Sequence, residues 1–175
     1  MEMQPIIITD ASPEDADEIV HIQAETWLAT YPNEKYGITR EDILGQKLDD
    51  PIRIDRWRTG IKNDTETEKT FVAKKDSHVV GYCLAKKGDT ENYIQALYVA
   101  SSEQGKGIGQ KLMSAVESWL DPSKPTGLGV VTYNEQAVGF YKKLGYEISD
   151  EPPEPIRPLA SGKILPTIKM IKRNT

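Results

Sequence analysis

Between Tyr93 and Leu120 an apolar run, YIQALYV, passes into SSEQGKGIGQ and then into a stretch of helical period. Gly105, Gly107 and Gly109 alternate with larger residues at the junction. A strand that becomes a helix through three glycines restricts the fold sharply. Glycine adopts left-handed backbone conformations freely, and it lets several peptide N–H groups point one way with no Cβ between them. The start of the helix adds roughly half a positive charge. A phosphate or pyrophosphate is the ligand such a turn favours. Spacing argues against two nucleotide fingerprints. Counting from Gly105 puts Gln110 where G-x-G-x-x-G needs its third glycine, and no G-x-x-x-x-G-K-[ST] occurs.

The surrounding pattern predicts a mixed sheet with helices on both faces. Ile6 to Thr9 reads as a short strand. Ser12 as cap, Pro13 at the first helical position and Asp15 reaching back then start a helix whose apolar face is Ala16, Ile19, Val20 and Trp27. Thr39 to Asp42 repeats the capping pattern and predicts a second helix running through Leu44 and Leu48. Residues 49–64 predict a further short helix with Trp57 turned inward. Thr70 to Lys74 and Val79 to Lys87 are joined by Asp76 and Ser77 and read as an antiparallel hairpin. Tyr93 to Val99 is the next strand. Ile108, Leu112, Met113, Val116, Trp119 and Leu120 then form the stripe of a helix over 107–120, closed by Pro122 and Pro125. Leu128 to Thr132 is a strand, Asn134 to Leu144 a helix ended by Gly145, and Tyr146 to Ser149 a strand. A proline-rich loop follows. Lys163 to Lys172 is a last strand interrupted by Pro166, which predicts an edge position or a bulge there.

Composition narrows the function classes. A net charge of −5 over 175 residues argues against a nucleic-acid partner, which calls for a basic stripe. Cys83 is the lone cysteine, so neither a disulfide framework nor a multi-cysteine metal site is available; it reads as a buried strand thiol and no metal is expected. The opening MEMQPIIITD lacks the regions of a signal peptide, and no run of about 18 apolar residues occurs, so the expectation is a soluble cytoplasmic protein away from membranes.

The second informative stretch is NEQAVGFYKKLGY, Asn134 to Tyr146. On a helix, Asn134, Ala137, Val138, Tyr141 and Leu144 share one face, so the capping amide and the phenol project the same way two turns apart. Phe140 and Leu144 read as core. A buried Tyr141 hydroxyl needs a polar partner, which points to function.

Together these stretches resemble the GNAT superfamily of acyl-coenzyme-A-dependent N-acetyltransferases. Its phosphate-loop pattern [RQ]-x-x-G-x-[GA] is met by Gln104, Gly107 and Gly109. The later pattern N-x-x-A-x-x-F-Y-x-x-x-G-[FY] is met by Asn134, Ala137, Phe140, Tyr141, Gly145 and Tyr146. The resemblance is strongest over residues 70–146. It implies one N-acetyltransferase domain over 1–175, with a mostly antiparallel central sheet splayed at a cofactor slot. It also implies acetyl-CoA as co-substrate, with its pyrophosphate on the amides of Gln104, Gly105, Lys106, Gly107, Ile108 and Gly109. Pantetheine would lie along Leu97 and Val99, with Asn134 and Tyr141 also lining the slot. Tyr141 corresponds to the residue that protonates the leaving sulfur, and the Val99 amide to the donor facing the oxyanion. Many relatives carry a carboxylate base where the central strand here has Tyr93 and Gln95, so no base is assigned; His21 and His78 read as solvated or structural. Trp27, Tyr31 and Glu25, with Tyr36 and Glu34 nearby, are the expected acceptor-binding residues. The implied acceptor is a polyamine or other small cationic amine, with a peptide or protein amine as the alternative. A non-catalytic acyl-CoA-binding regulatory module is a further alternative. Homodimers are common among relatives.

Overall fold

The computed structural model describes residues 5–174. Seven strands form one sheet in the order β1-β2-β3-β4-β5-β7-β6: β1 (Ile7–Asp10), β2 (Glu68–Lys75), β3 (His78–Lys87), β4 (Asn92–Val99), β5 (Thr126–Val131), β6 (Glu147–Ile148) and β7 (Thr167–Lys172). All neighbouring pairs are antiparallel except β4 with β5. The helices are α1 (Ala16–Thr30), α2 (Arg40–Leu44), α3 (Pro51–Lys62), α4 (Ile108–Trp119) and α5 (Glu135–Lys143).

The pleat sorts the core. On one face Phe71 and Ala73 of β2, Cys83 and Ala85 of β3 and Ile94 of β4 pack against Ile108, Leu112, Met113 and Val116 of α4 and Tyr141 of α5. The intervening residues Val72 and Tyr82 point the other way, to Ala16, Ile19 and Ile22 of α1 and Ile61 of α3. The expected mixed sheet with helices on both faces is therefore present. Asp76 and Ser77 take φ of 50° and 69°, the positive values that a tight right-twisted hairpin requires at its two central residues.

The first cap forms as expected. The Ser12 amide donates to Asp15 Oδ2 at 2.9 Å, but Pro13–Asp15 is a 3-10 turn and regular helix starts at Ala16. Thr39 and Asp42 form the second capping box. Its helix is shorter than predicted: it stops at Leu44, which is 57% exposed, and Leu48 is buried beyond its end. Trp57 packs edge-on against Tyr82 with ring centroids 5.3 Å apart. Pro166 does not interrupt the last strand. β7 starts after it at Thr167, and its place is interior, between β5 and β6, so the expectation of an edge or bulge is corrected. The proline lies outside the ladder, where its missing N–H costs no strand pairing, while its carbonyl accepts from the Thr132 amide at 2.8 Å.

Asn92 opens β4 and is almost fully buried. Its amide nitrogen donates to Asp121 O at 2.8 Å and its Oδ1 accepts from the Asp121 amide at 3.3 Å, tying the strand to the α4–β5 connection. Asn92→Ala strands those backbone groups without water and is expected to cost about 2–3 kcal/mol. That is a fall in Tm of roughly 5–10 °C for a chain of this size, read by differential scanning calorimetry; an unchanged Tm would show that the connection holds without it.

Candidate active site: a cleft where two strands part

The site begins with a break in the sheet. β4 pairs with β5 only over Asn92, Tyr93 and Ile94, opposite Thr126, Gly127 and Leu128. On its other edge, Ala85 of β3 faces Ile94 while Leu84 faces Ala96, so Gln95 is an extra residue, a β-bulge. A bulge bends its strand and raises the local twist. Past it β4 stays with β3, while β5 follows β7 as far as Val131.

The parting leaves backbone groups of β4 without a strand partner. The Ala100 amide donates to Val80 O on the β3 side at 2.9 Å. Successive peptide groups of a strand point to opposite edges, so the N–H groups of Leu97 and Val99 face the gap that β5 has vacated. The Val99 carbonyl points the same way and accepts from Gln104 Nε2 at 3.0 Å. A cleft of about 930 Å³ occupies this gap, lined among others by Leu97, Val99, Gly107, Asn134 and Tyr141.

One end of the cleft is the glycine turn. Gly105 and Gly107 have φ of 76° and 78°, which a side chain would strain, and Gly107 caps α4. A Cβ on Gly109 would stand 3.2 Å from Phe140 Cζ, so the third glycine lets α4 begin against α5. The first intrahelical bond of α4 is Lys111 N–H to Gly107 O, which leaves the amides of Ile108, Gly109 and Gln110 unspent at the positive end of the helix dipole. The Lys106 side chain does not line the cleft. Its ammonium bends back to Glu103 at 3.1 Å and to Ser102 O at 3.0 Å. The Lys75 ammonium, then that of Lys106, hold the Glu103 carboxyl below its usual range.

Midway along the cleft stands Tyr141. Asn134 caps α5, its side chain accepting from the Ala137 amide at 3.2 Å, and this sets the helix phase that turns Tyr141 inward. The phenol is 8% exposed and its ring packs edge-on against Phe140 and Tyr146. Burial pushes its pKa well above that of a free phenol, with Cys83 and Tyr98 adding smaller contributions. Phe140, read from the sequence as core, packs half-buried against it and also lines the cleft.

At the far end Trp27 in the last turn of α1 and Tyr31, which caps its C-terminus, meet edge-on with centroids 5.1 Å apart, and Trp27 Nε1 donates to the Tyr98 hydroxyl at 2.9 Å. Glu25 does not join them. Two residues from Trp27 on a helix is a rotation of about 200°, and its carboxylate accepts from the Ser101 amide at 3.0 Å, outside the cleft, which lowers its pKa. Tyr36 and Glu34 also lie outside it; Tyr36 stacks on Tyr133. Tyr93, Glu154, Ile156 and Leu165 complete the far end, the last three from the loop between β6 and β7. No motif marked that loop, because its contribution comes from contacts distant in sequence. Leu159 and Leu165 are buried with Tyr31, Ile38, Ile43 and Val131, and the Lys163 ammonium donates to Gly37 O and Asp42 Oδ2, both at 2.7 Å.

This fold recurs in solved acetyltransferases. The coenzyme A complex of the PaiA N-acetyltransferase of Thermoplasma acidophilum superposes with a TM-score of 0.70 at 21% identity, covering 97% of this chain and 99% of that one. A GCN5-related N-acetyltransferase of Rhodopseudomonas palustris gives 0.71 at 21% identity, with 98% of each chain covered. Residues 17–146 match the family model described as the acetyltransferase (GNAT) family, and the chain belongs to that family of acyltransferases. It is also similar to the peptidyl-lysine N-acetyltransferase YjaB of Salmonella typhimurium, 36% identical over 70 residues. That match spans 40% of this chain and 43% of the relative. Among the described residues no helix is long and apolar enough to cross a membrane.

The Lys163 ammonium, then the Thr39 amide, hold the Asp42 carboxyl well below the usual carboxylate range. A lowered folded-state pKa contributes stability that is present above the unfolded value near pH 4 and is lost as pH falls below it. Asp42→Asn is expected to lower Tm at pH 7 and to converge with the wild type in strong acid, in thermal melts across the acid range. Parallel curves would remove the Asp42–Lys163 contact from the acid response.

Proposed function

We propose that the protein transfers an acetyl group from acetyl-CoA to a primary amine by direct attack in a ternary complex. The single observation that carries this reading is the row of unspent peptide N–H groups along the gap, Leu97 and Val99 on β4 and Ile108 to Gln110 at the start of α4, with the Tyr141 phenol between the two ends of the cleft. Buried backbone donors are rarely left without partners. A carrier that presents peptide-like amides along a thread and a diphosphate at its end satisfies both sets, and the parted strands accommodate it.

Acetyl-CoA supplies an activated thioester carbonyl. The amides of Ile108, Gly109 and Gln110 hold the diphosphate with the help of the α4 dipole. Leu97 and Val99 offer the hydrogen bonds a neighbouring strand would take. The Val99 N–H faces the carbonyl oxygen as it gains charge, a contribution typically worth about 3–4 kcal/mol. Tyr141 hydrogen-bonds the departing sulfur. An ordinary phenol with pKa near 10 would protonate a thiolate of pKa near 8.5 uphill by roughly 2 kcal/mol, and burial makes this one a weaker acid still. Its role is therefore a hydrogen bond that strengthens as the sulfur becomes anionic, with the proton following late. No buried carboxylate of β4 faces the amine, so the acceptor's proton leaves by water at the open end.

The preferred acceptor is a small cationic amine. A peptide lysine is the second reading, favoured by the 70-residue match to a peptidyl-lysine N-acetyltransferase. Acetyl-CoA at about 100 times its Kd is expected to add roughly 2.7 kcal/mol, a rise in Tm of roughly 5–10 °C; stabilisation by ATP or NAD in its place would overturn the reading. Tyr141→Phe is expected to lower kcat by about 10² while leaving that thermal shift intact, as loss of the proton donor should. Wild-type kcat in the variant would take the phenol out of the chemistry. A protein stabilised by acetyl-CoA with no transfer to any amine would instead be a regulatory acyl-CoA binder.

A further inference from the structure

The cleft has opposite polarity at its two ends. At the glycine turn the unspent amides and the α4 dipole favour an anion, and the nearby Glu103 is neutralised by Lys75 and Lys106 at 3.0 and 3.1 Å. At the far end Glu154 lines the cleft near Tyr93, and among the described residues it has no cationic partner within ion-pair distance. Partial burial, then the Glu154 charge, raises the Tyr93 phenol. Lys169 of β7 binds both Glu91 before β4 at 2.9 Å and Glu151 at the start of the loop at 2.7 Å, and none of these three side chains lines the cleft. The loop is thus tied at one end by Lys169–Glu151 and at the other by Lys163–Asp42, and it presents Glu154 from between two anchors.

Resting on the acetyl-transfer reading, we propose that Glu154, with Tyr93, receives a second positive charge of the acceptor, distant from the nitrogen that reacts, so that the favoured substrates are small diamines or polyamines. The nitrogen that attacks a thioester must be neutral, and a carboxylate paired with it would hold its proton in place; the useful partner for Glu154 is another ammonium. From Tyr93 to Leu97 the strand spans roughly 13 Å, and the side chains reaching in from both ends shorten that to the span of an alkyl chain bearing an amine at each end. Trp27 and Tyr31 offer aromatic surface beside the path. Glu154 is exposed, so the pair is screened and selects by a modest factor.

The test is a series of α,ω-diaminoalkanes against n-alkylamines of the same length, with wild type and Glu154→Gln, following thiol release from acetyl-CoA. The wild type is expected to favour the diamine by about two- to fivefold in kcat/KM at one optimal length, mostly through KM. The preference should shrink as NaCl is raised toward 1 M. Glu154→Gln is expected to abolish the preference while monoamine kinetics and the acetyl-CoA thermal shift stay as in wild type. A variant that keeps the preference, or a wild type that shows none, would overturn the assignment, as would a wild type that acetylates peptide lysines and no member of the series. A wild type that neither binds acetyl-CoA nor transfers to any amine would overturn the acetyl-transfer reading itself, and this assignment would fall with it.

Discussion

Everything at the site depends on the extra residue Gln95. With Ile94 held against Leu128 and Ala96 already shifted one place against β3, β4 cannot follow both neighbours, and the ladder to β5 ends. The loss of pairing exposes donors that burial makes costly to leave alone, and a ligand able to satisfy them gains what the missing strand would have supplied. A sheet defect of this kind is stable because both parted strands keep a partner on the far side, β3 for β4 and β7 for β5. The hydrophobic clusters on the two faces and the Asn92 clamp at the start of β4 then hold the strands rigid where they diverge.

The two helices at the cleft serve different ends through similar devices. α4 is capped by a glycine whose backbone is turned, not by a side chain, which keeps its first amides free for an outside anion. α5 is capped by Asn134, which spends an amide within the protein and in return fixes the rotation of Tyr141. The contrast leaves an open N-terminus in one case and an oriented phenol in the other. At the far end, polarity comes from unequal pairing of charge. Glu91 and Glu151 share Lys169 outside the cleft while Glu154 faces it with no cationic partner among the described residues, so the slot is positive where phosphate would sit and negative where an amine would arrive.

Much of this was legible in the chain. The hairpin at Asp76 and Ser77, the caps at Ser12 and Thr39, the glycine turn and the Asn134–Tyr146 helix depend on residues close in sequence, and they formed where their local chemistry pointed. The misreadings have separate causes. The second helix looked continuous through Leu48 and stops at Leu44, which faces solvent; Pro166 looked like a break within a strand and is its boundary. Glu25 was grouped with Trp27 by proximity along the chain, although helical rotation separates them.

By itself the sequence determined the local conformations: which segments extend, which coil, where glycine permits a positive φ, and that a free helix start follows an apolar strand. These depend on backbone sterics and on neighbours within a few residues. Only the tertiary structure decided that β5 leaves β4 after Ile94, that Lys163 ties the proline-rich loop to Asp42, and that Glu154 meets Tyr93 across 61 positions of chain. Such juxtapositions arise from packing, which sums contacts among residues that carry no mark of one another in the sequence.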